Sequence, residues 1–191
     1  MILPIVAIGD PVLKKVAGKI EENTEELQTL IENMFETMYK ANGVGLAAPQ
    51  IGKSIRLFIV DASPFAEDGE EGTEMLKDFK KVFINAKMID ESGEEWGFNE
   101  GCLSIPGIRE EVFRNEHIKI RYQDENFKEH TQSFDGYAAR IIQHEYDHIE
   151  GILFTDLISP LRKRMLKRKI EEISQGDVDV AYKMKFPKKS R

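Results

Sequence analysis

Gln143-His144-Glu145-Tyr146-Asp147-His148 reads H-E-x-x-H, and the rest of the chain is organised around it. On a helix, residues four apart lie one turn apart on the same face. His144 and His148 can therefore offer two imidazole nitrogens to one metal ion, with Glu145 beside them as a carboxylate that moves protons. The flanks support a helix. Asp135-Gly136 can cap its start, Ala138, Ile141, Ile142 and Ile149 form an apolar stripe, and Gly151 stands where helices commonly stop. What the motif leaves open is the third ligand.

One class of zinc site continues the motif as H-x-x-G-x-x-H. Gly151 fits, but the last position is Phe154, so that extension fails. A second class takes a Glu from a following helix, for which Glu171 and Glu172 are the candidates. The third candidate is Cys102, within Glu100-Gly101-Cys102-Leu103-Ser104-Ile105-Pro106-Gly107. A lone Cys is most often a small buried apolar residue, and a nucleophile activated by His is also conceivable. Yet Gly101 and Pro106-Gly107 suggest an irregular segment that presents Cys102 to a helix face. A thiolate there gives a Cys-His-His set with a fourth position for water. On the residues alone, the Glu and Cys versions stand level.

Length and charge bound the rest. A chain of 191 residues suits one domain with a real core, and no apolar run approaches the roughly twenty residues of a membrane span. Met1-Ile2-Leu3-Pro4-Ile5 lacks the basic start and long apolar stretch of a signal peptide. A single cysteine forms no internal disulfide, which agrees with a reducing cytoplasm. The net charge of −7 divides unevenly: from Pro160 onward, eleven Lys/Arg stand against four Asp/Glu, leaving −14 for residues 1–159. The acidic body argues against general DNA binding, while the basic end suits a polyanion.

The periodicity predicts several elements. Ile5 to Ile8 is a short apolar run before the Asp10-Pro11 turn signal. Asn23-Thr24-Glu25-Glu26 reads as a capping box ahead of Leu27, Leu30, Ile31, Met34, Phe35 and Met38, an amphipathic helix closed by Asn42-Gly43. Gly43 to Gly52 reads as a tight irregular loop, and it lacks the Lys-Ser/Thr of a phosphate cradle. Arg56 to Val60 suits a buried strand. Residues 61–80, with Ser63-Pro64, Asp68-Gly69 and Glu71-Gly72, suit an exposed loop with a helical turn. Strands are expected over Lys81 to Ile89, Arg109 to Tyr122 and Phe127 to Phe134, the last two joined around Asp124-Glu125-Asn126; His117 and His130 fall within them as ordinary surface residues. Ser159-Pro160 starts a basic helix with Leu161, Met165, Leu166 and Ile173 as its apolar contacts; Gly176 ends it, and Lys183 to Arg191 suit a mobile basic tail. Several strands before a central helix indicate an α+β fold.

Taken together, three segments closely resemble the peptide deformylase family. They are Gly43-Val44-Gly45-Leu46-Ala47-Ala48-Pro49-Gln50, Glu100-Gly101-Cys102-Leu103-Ser104 and Gln143-His144-Glu145-Tyr146-Asp147-His148, in the family's order. Asp10-Pro11-x-Leu13 and Val112-x-Arg114 also match family positions. The resemblance implies an α+β single domain, with small antiparallel or mixed sheets around a central metal-binding helix. Residues 1–160 would be the catalytic part, and 161–191 a basic C-terminal helix and tail.

It further implies a metal-dependent hydrolase that removes the formyl group from the N-terminal formyl-methionine of nascent polypeptides and releases formate. By position, Cys102, His144 and His148 would be the metal ligands, for Fe²⁺ in the cell with Zn²⁺, Ni²⁺ or Co²⁺ accepted. Glu145 would be the acid/base, and Gln50 with the Leu103 amide the oxyanion donors. Val44, Gly45, Ile141 and Arg114 would line the methionine pocket and bind substrate backbone. The basic C-terminal helix suggests a contact with the ribosome. Two other readings remain at this point: a zinc endopeptidase using Glu171 or Glu172, and a metal-binding or ribosome-associated module without activity.

Overall fold

The computed structural model describes residues 1–67 and 73–187. In chain order its elements are β1 (Ile5–Val6), α1 (Glu25–Lys40), β2 (Gly45–Ala47), β3 (Leu57–Asp61), the short α2 (Ser63–Glu67), β4 (Lys80–Cys102), β5 (Ile105–Gln123), β6 (Glu129–Asp135), α3 (Gly136–Ile149), α4 (Pro160–Ser174) and β7 (Met184–Lys185). One antiparallel sheet runs β2-β3-β4-β5-β6, and β1 pairs in parallel with β7. This is the expected α+β architecture.

The sheet is coated on both faces, because successive side chains of a strand point to opposite sides. On one face Phe58, Val60 and Phe83 join Ala138, Ile141, Ile142 and Ile149 of α3 in one cluster. On the other, Leu57, Ile59, Val82 and Ile84 meet Leu27, Ile31, Met34, Phe35 and Met38 of α1. β3 is therefore buried along its whole length, as its unbroken apolar run requires. The result holds α3 rigidly across the sheet.

Local chemistry sets the helix ends. Thr24 Oγ1 accepts from the Leu27 N–H at 3.2 Å and starts α1. The expected capping box is not completed, since the third helical residue is Leu27 rather than an acid. Asn42 takes a left-handed φ of 54° at the far end, where the Gly43 N–H reaches Met38 O at 2.9 Å and the Asn42 N–H reaches Tyr39 O at 3.0 Å. Asp135 precedes α3 as expected, but its side chain caps nothing. Gly151 ends α3 as expected, at φ 74°, with the Ile152 N–H bonded to Asp147 O at 2.9 Å. A Cβ there would lie 2.8 Å from the Lys14 backbone, so no larger residue fits.

Six further expectations need correction. Gly43 to Gly52 is no simple loop: Gly45–Ala47 is an edge strand paired with β3, followed by a 3₁₀ turn over Ala48–Ile51. β4 extends well past Ile89 to Cys102, and register shifts at Ile84/Lys87, Met88/Asp90 and Ser92/Glu95 interrupt the alternation that would have betrayed it. The stretch 61–80 is less exposed than expected, with Asp61, Ala62, Thr73 and Leu76 buried; Asp68-Gly69 and Glu71-Gly72 lie outside the described residues. Leu161 and Met165 do not pack inward but are exposed, leaving Leu166, Ile170 and Ile173 to seat α4. The C-terminal tail is not free up to Pro187, because Met184–Lys185 is a strand; residues 188–191 lie outside the described residues. His117 is exposed as expected, whereas His130 is partly buried, stacked on Tyr122 and 2.6 Å from Asp124.

Candidate metal centre

Three elements converge on one point. α3 presents His144 and His148 one turn apart, their ring centroids 5.1 Å from each other. Cys102 arrives as the last residue of β4, at a register irregularity after Gly101 and directly before the turn at Leu103-Ser104, which agrees with the expected irregular segment. The ligand atoms of Cys102, His144 and His148 all lie within 4.8 Å of one another, and Cys102 Sγ is 3.4 Å from His148 Nε2. Bond lengths of about 2.3 Å to sulfur and 2.0 Å to nitrogen put two tetrahedral ligands about 3.5 Å apart. The donor set therefore fits one divalent cation.

Glu171 and Glu172 do not join this group. They stand on the exposed side of α4, facing Lys167 and Arg168. Among the described residues, the Cys-His-His cluster is the one that can hold a metal. The Glu version of the site is overturned.

A buried carboxylate, which the sequence reading did not single out, orders the centre. Glu100 Oε2 accepts from His144 Nδ1 at 2.9 Å, which leaves His144 Nε2 as the free ring nitrogen. Its two oxygens also accept from Arg114 Nε at 2.7 Å, Arg114 Nη2 at 3.1 Å and Arg140 Nη1 at 2.9 Å. Burial alone would raise the Glu100 pKa, but the bonds from His144 and Arg114 hold it well below the usual carboxylate range. The sequence signal for it is only its place two residues before Cys102, since a register shift at Gly101/Cys102 interrupts the strand alternation there. Arg140, four before His144 on α3, shares its helix face.

The same charges sort the histidines. Burial pulls His144 down, but the Cys102 sulfur and the Glu100 carboxylate more than reverse this, and its pKa lies well above the ordinary value. His148 is lowered by burial and by the charge on His144, which keeps it a neutral donor. A cation binding here would displace the proton that His144 holds.

Glu145 is 4% exposed, and its Oε2 has no hydrogen-bond partner among the described residues. Burial pushes its pKa up to about 7, with His144 opposing and Glu100 adding to the rise. β2 runs against it: a Cβ on Gly45 would collide with Glu145 Oε1 and lie 2.8 Å from its Cδ. Gln50 follows in the 3₁₀ turn. The Ala47 N–H donates to Gln50 Oε1 at 2.8 Å, which turns Nε2 toward Cys102 Sγ and Ser104 Oγ, each 3.4 Å away.

These groups border a cavity of about 700 Å³. Val44, Gly45, Gln50, Leu103 and Ile141 line it with Cys102, His144 and Glu145, so nearly every expected site residue meets there. His148, 1% exposed, sits behind the lining beside Cys102 and His144, and Arg114 is also set back from it. Arg114 is 8% exposed, spends its donors on Glu100 and on Asp147 at 2.7 Å, and does not line the cavity. Tyr182, from beyond α4, was not foreseen as a wall residue; burial first, then the Cys102 charge, pushes its pKa up to about 12.

The polypeptide deformylase family profile matches residues 2–164. The chain belongs to the peptide deformylase family. It is 57% identical over 196 residues to the peptide deformylase of Christiangramia forsetii, covering the whole of both chains. It is 56% identical to that of Flavobacterium psychrophilum, again end to end. Among solved structures, the peptide deformylase of Legionella pneumophila superposes with a TM-score of 0.79 at 38% identity, over 93% of this chain and 98% of that one. A plant deformylase, 1B of Arabidopsis thaliana in complex with an inhibitor, gives a TM-score of 0.80 at 34% identity, covering 92% of each. This deformylase is thus a metal-dependent hydrolase that removes the N-formyl group from nascent polypeptides, and the readings as an endopeptidase or an inactive module fall away.

Proposed function

We propose that Cys102, His144 and His148 hold the catalytic cation, that Glu145 carries the protons, and that Gln50 and the Leu103 N–H receive the oxyanion. The observation behind this is the convergence of all three donor atoms within 4.8 Å of one another, two of them, from Cys102 and His144, on residues that line a cavity bordered by Glu145 and Gln50. A divalent cation there supplies Lewis acidity, lowering the pKa of water from 15.7 to about 7 and polarising the formyl oxygen. Glu145, with a pKa near neutrality, takes the proton of the attacking water at its carboxylate and hands it to the departing amine. The fixed Gln50 amide places an N–H donor at the sulfur edge of the site, where the formyl oxygen becomes negative. Val44, Gly45 and Ile141 border the space for the methionine side chain, an apolar body of modest selectivity. Arg114 acts behind the site, by holding Glu100 and Asp147 in place.

Fe²⁺ is the proposed cellular ion by resemblance to the family; one thiolate and two imidazoles accept both Fe²⁺ and Zn²⁺, and availability rather than ligand type chooses between them. Formate release from formyl-Met-Ala-Ser tests both points. Activity is expected to vanish on chelation, return with Fe²⁺ under anaerobic conditions, and decay in air as iron and thiolate oxidise. Turnover that survives chelation contradicts the metal, and turnover unchanged after aerobic storage contradicts iron.

Residues 1–160 hold every proposed catalytic group, and the basic segment from 161 to 187 packs against them through Ile173 and β7. We place the enzyme in the cytoplasm, where formylated chains emerge and the one cysteine stays reduced; no helix among the described residues is long and apolar enough to cross a membrane. The exposed Arg164, Lys167 and Arg168 on α4 suit ribosomal RNA rather than DNA at large, since the acidic remainder of the chain repels an extended polyanion. Replacing these three with Glu is expected to abolish cosedimentation with ribosomes at low salt while leaving formate release unchanged. Undiminished cosedimentation refutes the contact. Deleting 161–191 is a poorer test, because it strips Ile173 and β7 from the core as well.

A further inference from the structure

The family profile ends at residue 164, yet the chain beyond it returns to the active site. After α4 the backbone turns at Gly176, where φ is 86°, and β7 lies beside β1 with Ile5 opposite Met184 and Val6 opposite Lys185. The Ile5 N–H donates to Lys183 O and the Ala7 N–H to Lys185 O, both at 2.9 Å. The two ends of the chain are thereby clasped together, and both reach the same turn. Leu103 and Ser104 join β4 to β5 there, immediately after Cys102, whose strand partner is Ile105. The Ile8 N–H donates to Ser104 O at 2.9 Å, and the Tyr182 hydroxyl donates to Leu103 O at 2.8 Å. Each carbonyl of the turn is thus held by one end of the chain.

We propose that Tyr182 is a positioning residue for deformylation: by holding the Leu103 carbonyl it fixes the turn, and so aims the Leu103 N–H at the developing oxyanion. This rests on the reading of Leu103 given above. The Leu103 side chain supplies a second anchor, packing against Gly43, where a Cβ would lie 2.9 Å from Leu103 Cδ1. A hydrogen-bond donor in a short turn limits rotation of both flanking peptides, and an oxyanion donor displaced by a fraction of an ångström loses much of its effect.

The test is Tyr182→Phe in the full-length, metal-loaded enzyme, which keeps the ring against the cavity wall and removes only the hydroxyl. Formate kinetics are read together with hydrogen exchange of the Leu103 amide by NMR. The expected result is faster exchange at Leu103 and a kcat lowered about 10- to 100-fold, with KM for formyl-Met-Ala-Ser and metal content unchanged. Unchanged exchange at Leu103 overturns the positioning role outright. Faster exchange with unaltered kcat shows instead that the Leu103 N–H takes no part, so the reading beneath the proposal fails. A raised KM at constant kcat makes Tyr182 a wall of the peptide cavity, which also overturns it. Tyr182→Leu serves as the control for packing: it should match Tyr182→Phe in kcat, and a return of kcat toward wild type would refute a role for the hydroxyl.

Discussion

Replacing Glu145 by Gln is expected to lower kcat by about two to four orders of magnitude while making the metal-free protein more stable. The first effect follows from removing the group that accepts and redelivers the proton. The second follows from burial. Glu145 is 4% exposed, with one oxygen unpartnered and a pKa pushed up to about 7. In the unfolded chain the same carboxyl titrates near about 4.3. Between those values the folded protein binds more protons than the unfolded one, so its stability falls as pH rises through that window and stays low above pH 7. Holding the charge therefore costs about 3–4 kcal/mol at pH 8 in the absence of a cation. The Gln side chain has the same shape without the charge. Chemical denaturation of the metal-free variant and wild type should show a gap that is widest at pH 8 and closes below pH 4. A variant no more stable than wild type at pH 8 would mean that Glu145 is not held at the expense of the fold.

Glu100→Ala should be the most destabilising single change at this site. The carboxylate accepts four hydrogen bonds from His144, Arg114 and Arg140 while 4% exposed. Its removal leaves Arg114 with Asp147 alone, and Arg140 with the carbonyls of Val112 and Trp96 and the Trp96 ring at 4.6 Å. Breaking a buried ion pair from one side typically costs about 3–5 kcal/mol. Because Glu100 also fixes the His144 ring, metal affinity should fall about 10- to 100-fold. The pH dependence has the opposite sign to that of Glu145. A carboxyl whose pKa is depressed on folding stabilises the protein above its unfolded value, and the contribution is lost as pH falls through the folded one. The penalty of Glu100→Ala should therefore be full at pH 7 and shrink in acid. A loss under about 1 kcal/mol with unchanged metal affinity would remove Glu100 from the centre.

What the sequence disclosed about this site follows the range over which its patterns act. His144, Glu145 and His148 lie within one turn of a helix whose apolar stripe is regular, so their shared face is a local property. The same holds for α1. Cys102 is different, because no local rule carries a sulfur to a helix some forty residues later; the residues alone do not separate it from Glu171 and Glu172, and only the family resemblance does. β4 was read at less than half its length because its bulges break the two-residue alternation. Gly45 was legible as a place of close approach, but not that Glu145 is what approaches. Arg114 was assigned to substrate from its motif, whereas its partners Glu100 and Asp147 come from two other segments and bury it. Tyr182 was beyond reach altogether: its place depends on the two ends of the chain pairing as strands, and a two-residue parallel pair leaves no periodic trace.

Cobalt substitution of Cys102→Ser tests the central claim most directly, because a thiolate bound to Co²⁺ gives an intense sulfur-to-metal charge-transfer absorption in the near ultraviolet. The wild-type protein reconstituted anaerobically should bind one Co²⁺ per chain and show that band. The Ser variant should lose the band, bind the ion far more weakly, and release no formate. An identical spectrum and stoichiometry in the variant would contradict Cys102 as a ligand, and with it the three-residue centre.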